Sequence, residues 1–222
     1  MLSIIALIGR KMKDSIKNLE WRYAVKKFDS EKILSNDKIE RLKKAFNLTA
    51  TSYGLQPIRM VVVQNKELQE KLVASSYGQQ QVSQASHVLI ICIERVVDKE
   101  FIVKYFDRVK NIRNTSESII TPFEDALVSS FSKKDIKEVK DWATNQAYLA
   151  LGNLLTVCDF EEIDSCPMEG FSPEAYDELL ELEQYGLSSA LVLPVGYRAQ
   201  DDMFADMKKV RRPLKDSIIY IS

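Results

Sequence analysis

The chain has 222 residues, of which 45% are hydrophobic and 28% charged, and its 31 Lys and Arg nearly balance its 32 Asp and Glu. This composition is typical of a soluble globular protein and disfavours a nucleic-acid partner. One His and seven scattered Gly exclude a glycine-rich phosphate loop of the Rossmann or P-loop type and a multi-His metal site, so we expect no metal.

The chain start is predicted to be an N-terminal extension over residues 1–13, followed by a single domain over 14–222. The apolar stretch in the extension is too short to span a membrane, and its basic residues follow rather than precede it, unlike a secretory signal. The three cysteines, Cys92, Cys158 and Cys166, form no C-x-x-C pair and are expected to be free thiols. Free thiols favour a cytoplasmic location.

The first half of the chain predicts three helices and two strands. Helices are expected over residues 14–22, from a cap at Ser35 to about Phe46 or Leu48, and over 66–74, because apolar residues recur there at helical spacing. The β-branched and apolar runs at 60–63 and 88–93 predict strands.

The second half is predicted to be mainly helical. Residues 99–131 are expected to form helix with a break near Thr121 and Pro122. The strongest helical pattern, at 134–158, becomes apolar on all sides, which indicates burial at the centre of the molecule or in a dimer interface.

The chain end adds one helix and two strands to the prediction. Ser172 and Pro173 are typical of a helix start, here running to about residue 182, and strands are expected at 190–195 and 217–221. Because helices and strands mix without regular alternation, the pattern predicts an α+β domain with a small mixed or antiparallel sheet.

Two pairs of cations could bind an anion such as a phosphate. Arg22 and Lys26 are four residues apart at a helix end, and Lys209 and Arg211 alternate in a basic segment. A solvated basic surface would give the same pattern.

Two polar loops could hydrogen-bond a ligand, although a plain connecting loop on the surface is the commoner interpretation of such segments. The first contains Thr51, Ser52 and Gly54. The second contains Gln79 and Gln81, which an extended backbone would point in the same direction.

Three single residues also have chemistry to offer. His87 is more typical of a structural histidine than of a triad base, because the chain has no nucleophile turn of the G-x-S-x-G type. Tyr148 could donate its hydroxyl to a substrate, and Glu169 could act as a general base, but core and surface roles are commoner for both.

Seven segments in this order resemble the nitroreductase family of FMN-dependent NAD(P)H oxidoreductases, in particular its oxygen-insensitive nitroreductase and dihydropteridine reductase branch. They are RYAVKKF at 22–28, SYGLQP at 52–57, QQQVSQASH at 79–87, WATNQAYLALGN at 142–153, PMEGF at 167–171, LPVGY at 193–197 and KVRRP at 209–213.

The resemblance implies a nitroreductase-like α+β fold, with a central, mostly antiparallel sheet flanked by helices. It also implies an intertwined homodimer with FMN at the interface, in which the C-terminal strand at 217–221 crosses to the partner's sheet. The implied activity is reduction of nitroaromatic, quinone or similar flat acceptors by NAD(P)H, in a ping-pong two-electron mechanism.

The same resemblance implies which residues bind FMN. Around the phosphate they are Arg22, Tyr23, Ala24, Lys209 and Arg211; at the ribityl chain and pyrimidine, Gln79 and Gln81; near N5, Pro167, Met168, Glu169 and Gly170; and from the other subunit, Thr51, Ser52 and Gly54. Lys26 would lie near the N1/O2 edge and Tyr148 near the substrate. Because the flavin performs the chemistry, no side chain is a certain catalyst, and Lys26, Glu169 and Tyr148 are the nearest candidates.

The chain departs from the family pattern at a few positions. Relatives often have His-Ser at Tyr23 and Ala24, Asn at Gly78 and an aromatic residue at Ile58. Two alternatives therefore stay open: a non-catalytic FMN-binding or flavin-storage protein on the same fold, and a structural homodimer without a ligand.

Overall fold

A four-stranded antiparallel sheet organises the fold in a computed structural model, which describes residues 14–221. The strands are β1 (Ile58–Val63), β2 (His87–Glu94), β3 (Asp164–Ser165) and β4 (Leu187–Gly196), in the order β1-β2-β4-β3. β1 and β3 are thus the edge strands. The predicted α+β class and antiparallel sheet are confirmed, whereas the N-terminal extension lies outside the described residues.

Helices surround this sheet. They are α1 (Ser15–Trp21), α2 (Asn36–Asn47), α3 (Lys66–Ala74), α4 (Gln81–Gln84), α5 (Lys99–Arg113), α6 (Glu117–Phe131), α7 (Ile136–Phe160), α8 (Pro173–Leu179) and α9 (Leu214–Ser217). Side-chain caps fix several starts, because the first amides of a helix have no acceptor within the helix itself. Asp14 caps α1, Ser35 caps α2, and Asp135 forms a capping box with Glu138 at α7. None of the helices within 14–221 is long and apolar enough to cross a membrane.

The core lies on both faces of β2 and β4, which is why the stretches VLIICI of β2 and ALVLPV of β4 are continuously apolar. One face packs on α7, whose buried side includes the alanines Ala143, Ala147 and Ala150. The opposite side of α7 is open in this chain, where the side chains of Tyr148 and Leu149 are 43% and 54% exposed. The burial predicted for this helix at the centre of the molecule is therefore found on one face, and the other face is exposed in the single chain.

The break in the helical region 99–131 lies at Asn114, and the predicted break near Thr121 and Pro122 is wrong. Asn114 adopts a left-handed backbone (φ +52°) and ends α5, because Asn tolerates this conformation better than most residues. Pro122 lies inside α6, where its ring leaves only one helical hydrogen bond unmade.

The chain end differs from its predicted form. Ser217 is the last residue of α9, and residues 218–221 pair with no strand among the described residues. Their side chains are 61–90% exposed. An apolar segment of high β-propensity without a neighbouring strand cannot form a sheet within its own chain.

The helix predicted to reach residue 182 ends at Leu179.

Candidate functional site

The two predicted cation pairs line one pocket, although nearly 190 residues separate them in sequence. Arg22, Lys26, Lys209 and Arg211 surround an open cavity of about 420 Å³. The other lining residues are Tyr23, Ala24, Phe204, Met207 and Lys208. We call this the cation pocket. Guanidinium and ammonium groups concentrated in this way favour a ligand with a multiply charged anion such as a phosphate monoester.

Asp202 holds one wall of the cation pocket in place. This carboxylate is 5% exposed and accepts hydrogen bonds from the Tyr23 hydroxyl (2.9 Å) and from the backbone amides of Lys26 (2.9 Å) and Lys27 (3.2 Å). Burial alone would raise the pKa of Asp202, but the bonds from Phe204, Lys26 and Tyr23 lower it below its usual value. The turn carrying Lys26 is therefore fixed by a carboxylate whose charged form these bonds favour, and sequence analysis missed this residue.

Asp159, at the end of α7, lies behind Arg22. Its carboxylate is buried, and Oδ1 lies 3.8 Å from Arg22 Nε. Burial raises the pKa of Asp159 to about 6, against the lowering effect of Arg22 and Lys209. Lys209 in turn donates through its ammonium group to the Arg22 carbonyl oxygen. The C-terminal segment that carries Lys209 therefore contacts the end of α1 at Arg22.

The loop at 167–170 borders this region. Met168 exchanges two backbone hydrogen bonds with Val192 of β4 (2.8 and 3.1 Å), which anchors the loop to the sheet. Within residues 14–221 the amides of Glu169 and Gly170 donate to no acceptor. Two adjacent free N–H groups are available to a ligand, because exposed backbone donors must otherwise be satisfied by water.

Side chains on either side hold that loop. Gln79 donates through Nε2 to the Gly170 carbonyl (2.7 Å), and a Cβ on Gly170 would lie only 3.0 Å from the same nitrogen. Tyr148 donates to Glu169 Oε1 (2.6 Å), and this bond is the main cause of the raised pKa of Tyr148. The predicted residues of this group thus contact one another.

The loop and the cation pocket are joined through Ser165 and Cys166. The Ser165 carbonyl accepts the Val25 amide (3.2 Å), which ties the Arg22–Lys26 segment to the start of the loop. The buried Cys166 thiol is hydrogen-bonded to Gln81. Burial raises the pKa of this thiol above its usual value, although Lys26 acts in the opposite direction. The two groups are therefore parts of one region.

The predicted geometry of the Gln-rich loop is wrong. Gln80 has a helical backbone and Gln81 begins α4, so Gln79 and Gln81 do not alternate along an extended segment. The Gln81 residue is 7% exposed and contacts Cys166, whereas Gln79 bonds to Gly170 and Ser76. Gly78 adopts φ +77°, a conformation that turns the loop between them.

Thr51, Ser52 and Gly54 lie apart from the residues that line the cation pocket. The Ser52 amide donates to Gln146 Oε1 of α7 (2.8 Å), and the Gln56 amide donates to Thr51 Oγ1 (3.1 Å). Gly54 approaches α5 closely, since a Cβ there would lie 2.5 Å from the Tyr105 hydroxyl oxygen. Within this chain these residues serve the packing of α5 and α7.

We expect Gly54→Ala to lower the free energy of unfolding by about 2 kcal/mol, because it combines a positive φ of +73° with the Tyr105 contact. Gly186→Ala is the matched control, since φ there is +68° and nothing lies within 4 Å of the added Cβ. It should cost about 1 kcal/mol from backbone strain alone. Urea denaturation measures both. Equal losses would contradict a steric role for Tyr105, and Gly54→Ala/Tyr105→Phe should recover part of the difference.

His87 is buried at the start of β2, in keeping with a structural role. Its Nδ1 bonds to Ser86 Oγ (2.8 Å), and that oxygen also accepts the Leu34 amide (2.8 Å). Burial, together with Lys66 and Lys43, lowers the pKa of His87 below its usual value, which favours the neutral ring.

Comparison with known proteins bears on this geometry. Residues 19–197 match the model of the Nitroreductase family. A protein of Staphylococcus epidermidis named "Putative NAD(P)H nitroreductase" is 35% identical over 218 residues, which cover 93% of this chain and 96% of that protein.

Solved structures share the fold. A Bacillus subtilis protein described as a "putative nitroreductase" superposes with a TM-score of 0.83 at 18% identity, over 93% of this chain and 98% of that one. Another so described, from Exiguobacterium sibiricum and solved in complex with FMN, gives a TM-score of 0.80 at 17% identity, over 94% and 97%.

Proposed function

This chain belongs to the nitroreductase family, and from that premise we propose that it is an FMN-dependent NAD(P)H oxidoreductase for nitroaromatic, quinone or similar flat acceptors. The observation that carries the proposal is the cation pocket beside a loop with two free backbone donors. This donor set fits FMN, since its phosphate needs cations and its ring edge needs hydrogen-bond donors.

The cofactor-binding roles divide between the two groups of residues. Arg22, Lys209 and Arg211 would hold the phosphate, with Tyr23 and Ala24 forming the pocket wall. Glu169 and Gly170 would donate their amides to the ring, next to Pro167 and Met168. Gln79 and Gln81 would bind the ribityl chain and the pyrimidine. Thr51, Ser52 and Gly54 would come from a second subunit. The bound flavin supplies hydride transfer, and the chain supplies position and charge.

Lys26 is the residue proposed to favour reduction. It is exposed, lines the cation pocket and forms no ion pair within 14–221. A free ammonium group stabilises negative charge that develops on a ligand, and more so when water is excluded. Tyr148 and Glu169, bonded to each other, are proposed to border the acceptor site on the other side.

A homodimer is proposed from surfaces that a single chain leaves open. The edge of β1 has no further strand beside it among the described residues, and residues 218–221 are apolar and unpaired. The exposed face of α7 adds Tyr148 and Leu149. Such surfaces are typical of interfaces, and we propose that the chain end pairs with the partner's sheet. The single domain over 14–222 stays a prediction, and the three free cysteines support the proposed cytoplasmic location.

The proposed activity is tested by the flavin spectrum. The purified protein should be yellow, or become so with added FMN, and should bleach with NADH or NADPH under argon. A protein that takes up no FMN contradicts the proposal and favours the alternative of a structural homodimer without a ligand. A protein that binds FMN but is not reduced favours the storage alternative.

We expect Lys26→Ala to slow reduction by NAD(P)H about 10- to 100-fold, because one charge that favours the reduced ligand is lost. Anaerobic stopped-flow absorbance measures the rate, and a flavin titration measures affinity, which should change much less. Lys27→Ala is the matched control, because the neighbouring Lys27 pairs with Asp201 and does not line the cation pocket. Equal rates in both variants would contradict the role of Lys26.

A further inference from the structure

Asp159 carries a buried carboxylate that accepts no hydrogen bond within residues 14–221. Its side chain is 1% exposed, and neither oxygen has a hydrogen-bond partner among the described residues. Asp159 forms an ion pair with Arg22, but the distance of 3.8 Å between Arg22 Nε and Asp159 Oδ1 is too long for a hydrogen bond. Because a buried charge normally costs free energy unless it is paired and bonded, this arrangement needs an explanation beyond stability.

Among the described residues, Arg22 is the group that forms an ion pair with Asp159. Two other charged residues nearby are already committed to each other, since Arg198 binds Asp164 through its amide (2.8 Å) and its Nε (2.7 Å). Lys209, which also acts on Asp159 electrostatically, donates to the Arg22 carbonyl. Arg22 Nε is itself buried and has no acceptor within hydrogen-bond distance in the part of the chain that the structure describes.

The shape of a guanidinium group allows Arg22 to contact Asp159 and a ligand at the same time. The group is planar and carries five N–H donors, so a carboxylate beside Nε takes one edge and leaves the Nη donors for another acceptor. Arg22 has Asp159 on its Nε side and also lines the cation pocket.

We propose that Asp159 is a positioning residue, which fixes the Arg22 guanidinium from behind so that its Nη donors face the phosphate of the ligand in the cation pocket. This inference rests on the proposed function. It assigns Asp159 an effect on phosphate recognition and none on the flavin ring, because Arg22 is the group through which it acts. Asp159 would therefore set the preference for FMN over riboflavin.

The test compares the two flavins, which differ only in the phosphate. The apoprotein and its variants are titrated with FMN and with riboflavin, followed by flavin fluorescence. In Asp159→Asn, which keeps the shape but removes the charge, the ratio of the riboflavin Kd to the FMN Kd should fall about 10-fold. Riboflavin affinity should stay as in the wild type.

Further variants separate positioning from folding. Glu161→Gln is the matched control, because Glu161 pairs with Arg41 at the same helix end and does not line the cation pocket. Arg22→Lys keeps the cation but lacks the Nε–H, so it should lose a similar part of the ratio even if Asp159→Asn fails to fold. In Asp159→Asn/Arg22→Lys the losses should not add, since both changes remove one interaction.

Each outcome decides the inference. A wild-type ratio in Asp159→Asn or in Arg22→Lys overturns it, and so does an equal loss of affinity for both flavins in Asp159→Asn, which would indicate a structural role. Additive losses in the double variant overturn it as well. If the wild type binds neither flavin, the proposed function has failed first, and this result is distinct from all the others.

Discussion

Deleting residues 218–222 is expected to raise the dimer dissociation constant about a thousandfold or more, leaving a monomer at micromolar concentrations. The reason is the loss of Ile218, Ile219, Tyr220 and Ile221, whose side chains are 61–90% exposed in the single chain. Burial of a large apolar side chain contributes about 1.5–3 kcal/mol, and each 1.4 kcal/mol changes the constant tenfold. Sedimentation velocity over a concentration series measures the change.

Removal of Ser222 alone is the matched control, because it shortens the chain and leaves the four apolar residues in place. The truncated protein should also lose affinity for FMN, since the proposed site includes residues of the second subunit. A truncated chain that still dimerises with wild-type affinity would contradict exchange of the chain end. It would point instead to the exposed face of α7 around Leu149.

Replacing Arg22 and Arg211 together by alanine is expected to abolish the stabilisation of the protein by FMN. A ligand at 100 times its Kd stabilises the folded state by about 2.7 kcal/mol. Each lost charge-assisted bond weakens binding by about 10- to 100-fold, so at the same FMN concentration the double variant should retain almost none of this shift. Scanning calorimetry with and without FMN measures it.

The control for this experiment is Arg41→Ala/Arg113→Ala, which removes the same charge from residues that do not line the cation pocket. Its FMN-dependent shift in Tm should match that of the wild type. An unchanged shift in Arg22→Ala/Arg211→Ala would contradict phosphate binding in the cation pocket. Loss of the shift in both double variants would mean that net charge, rather than the pocket, determines binding.

Local patterns predicted the elements that local forces determine. Lys66–Ala74 has the bounds predicted for it, because Asn65 caps its start and apolar residues recur on one face. The helix at 136–160 was equally clear from its spacing. The break at Asn114 was missed because proline is the stronger breaking signal in sequence, although α6 contains Pro122 as its sixth residue.

The candidate site was predictable where cations are paired at close spacing in the sequence, and not where contacts between distant residues determine the arrangement. Arg22, Lys26, Lys209 and Arg211 stand out as cations, and they share a pocket. Asp202 gives no such signal, because its partners are about 175 residues away. Asp159 had one available signal, a carboxylate next to Cys158 at the end of the mainly apolar second half of α7. It indicates burial but not the partner, since Arg22 is far away in sequence.

The burial of all three cysteines has a practical consequence for labelling. Burial raises the pKa of Cys92 to about 12 and also raises the pKa of Cys158 and Cys166, so the thiols stay protonated in the folded protein. Maleimides and disulfide reagents attack the thiolate, and a buried thiol offers neither charge nor access. A single cysteine introduced at an exposed position such as Val210 can therefore receive a spin label or fluorophore without prior removal of the native ones. Distances between two such labels would then report how two copies of the chain are arranged.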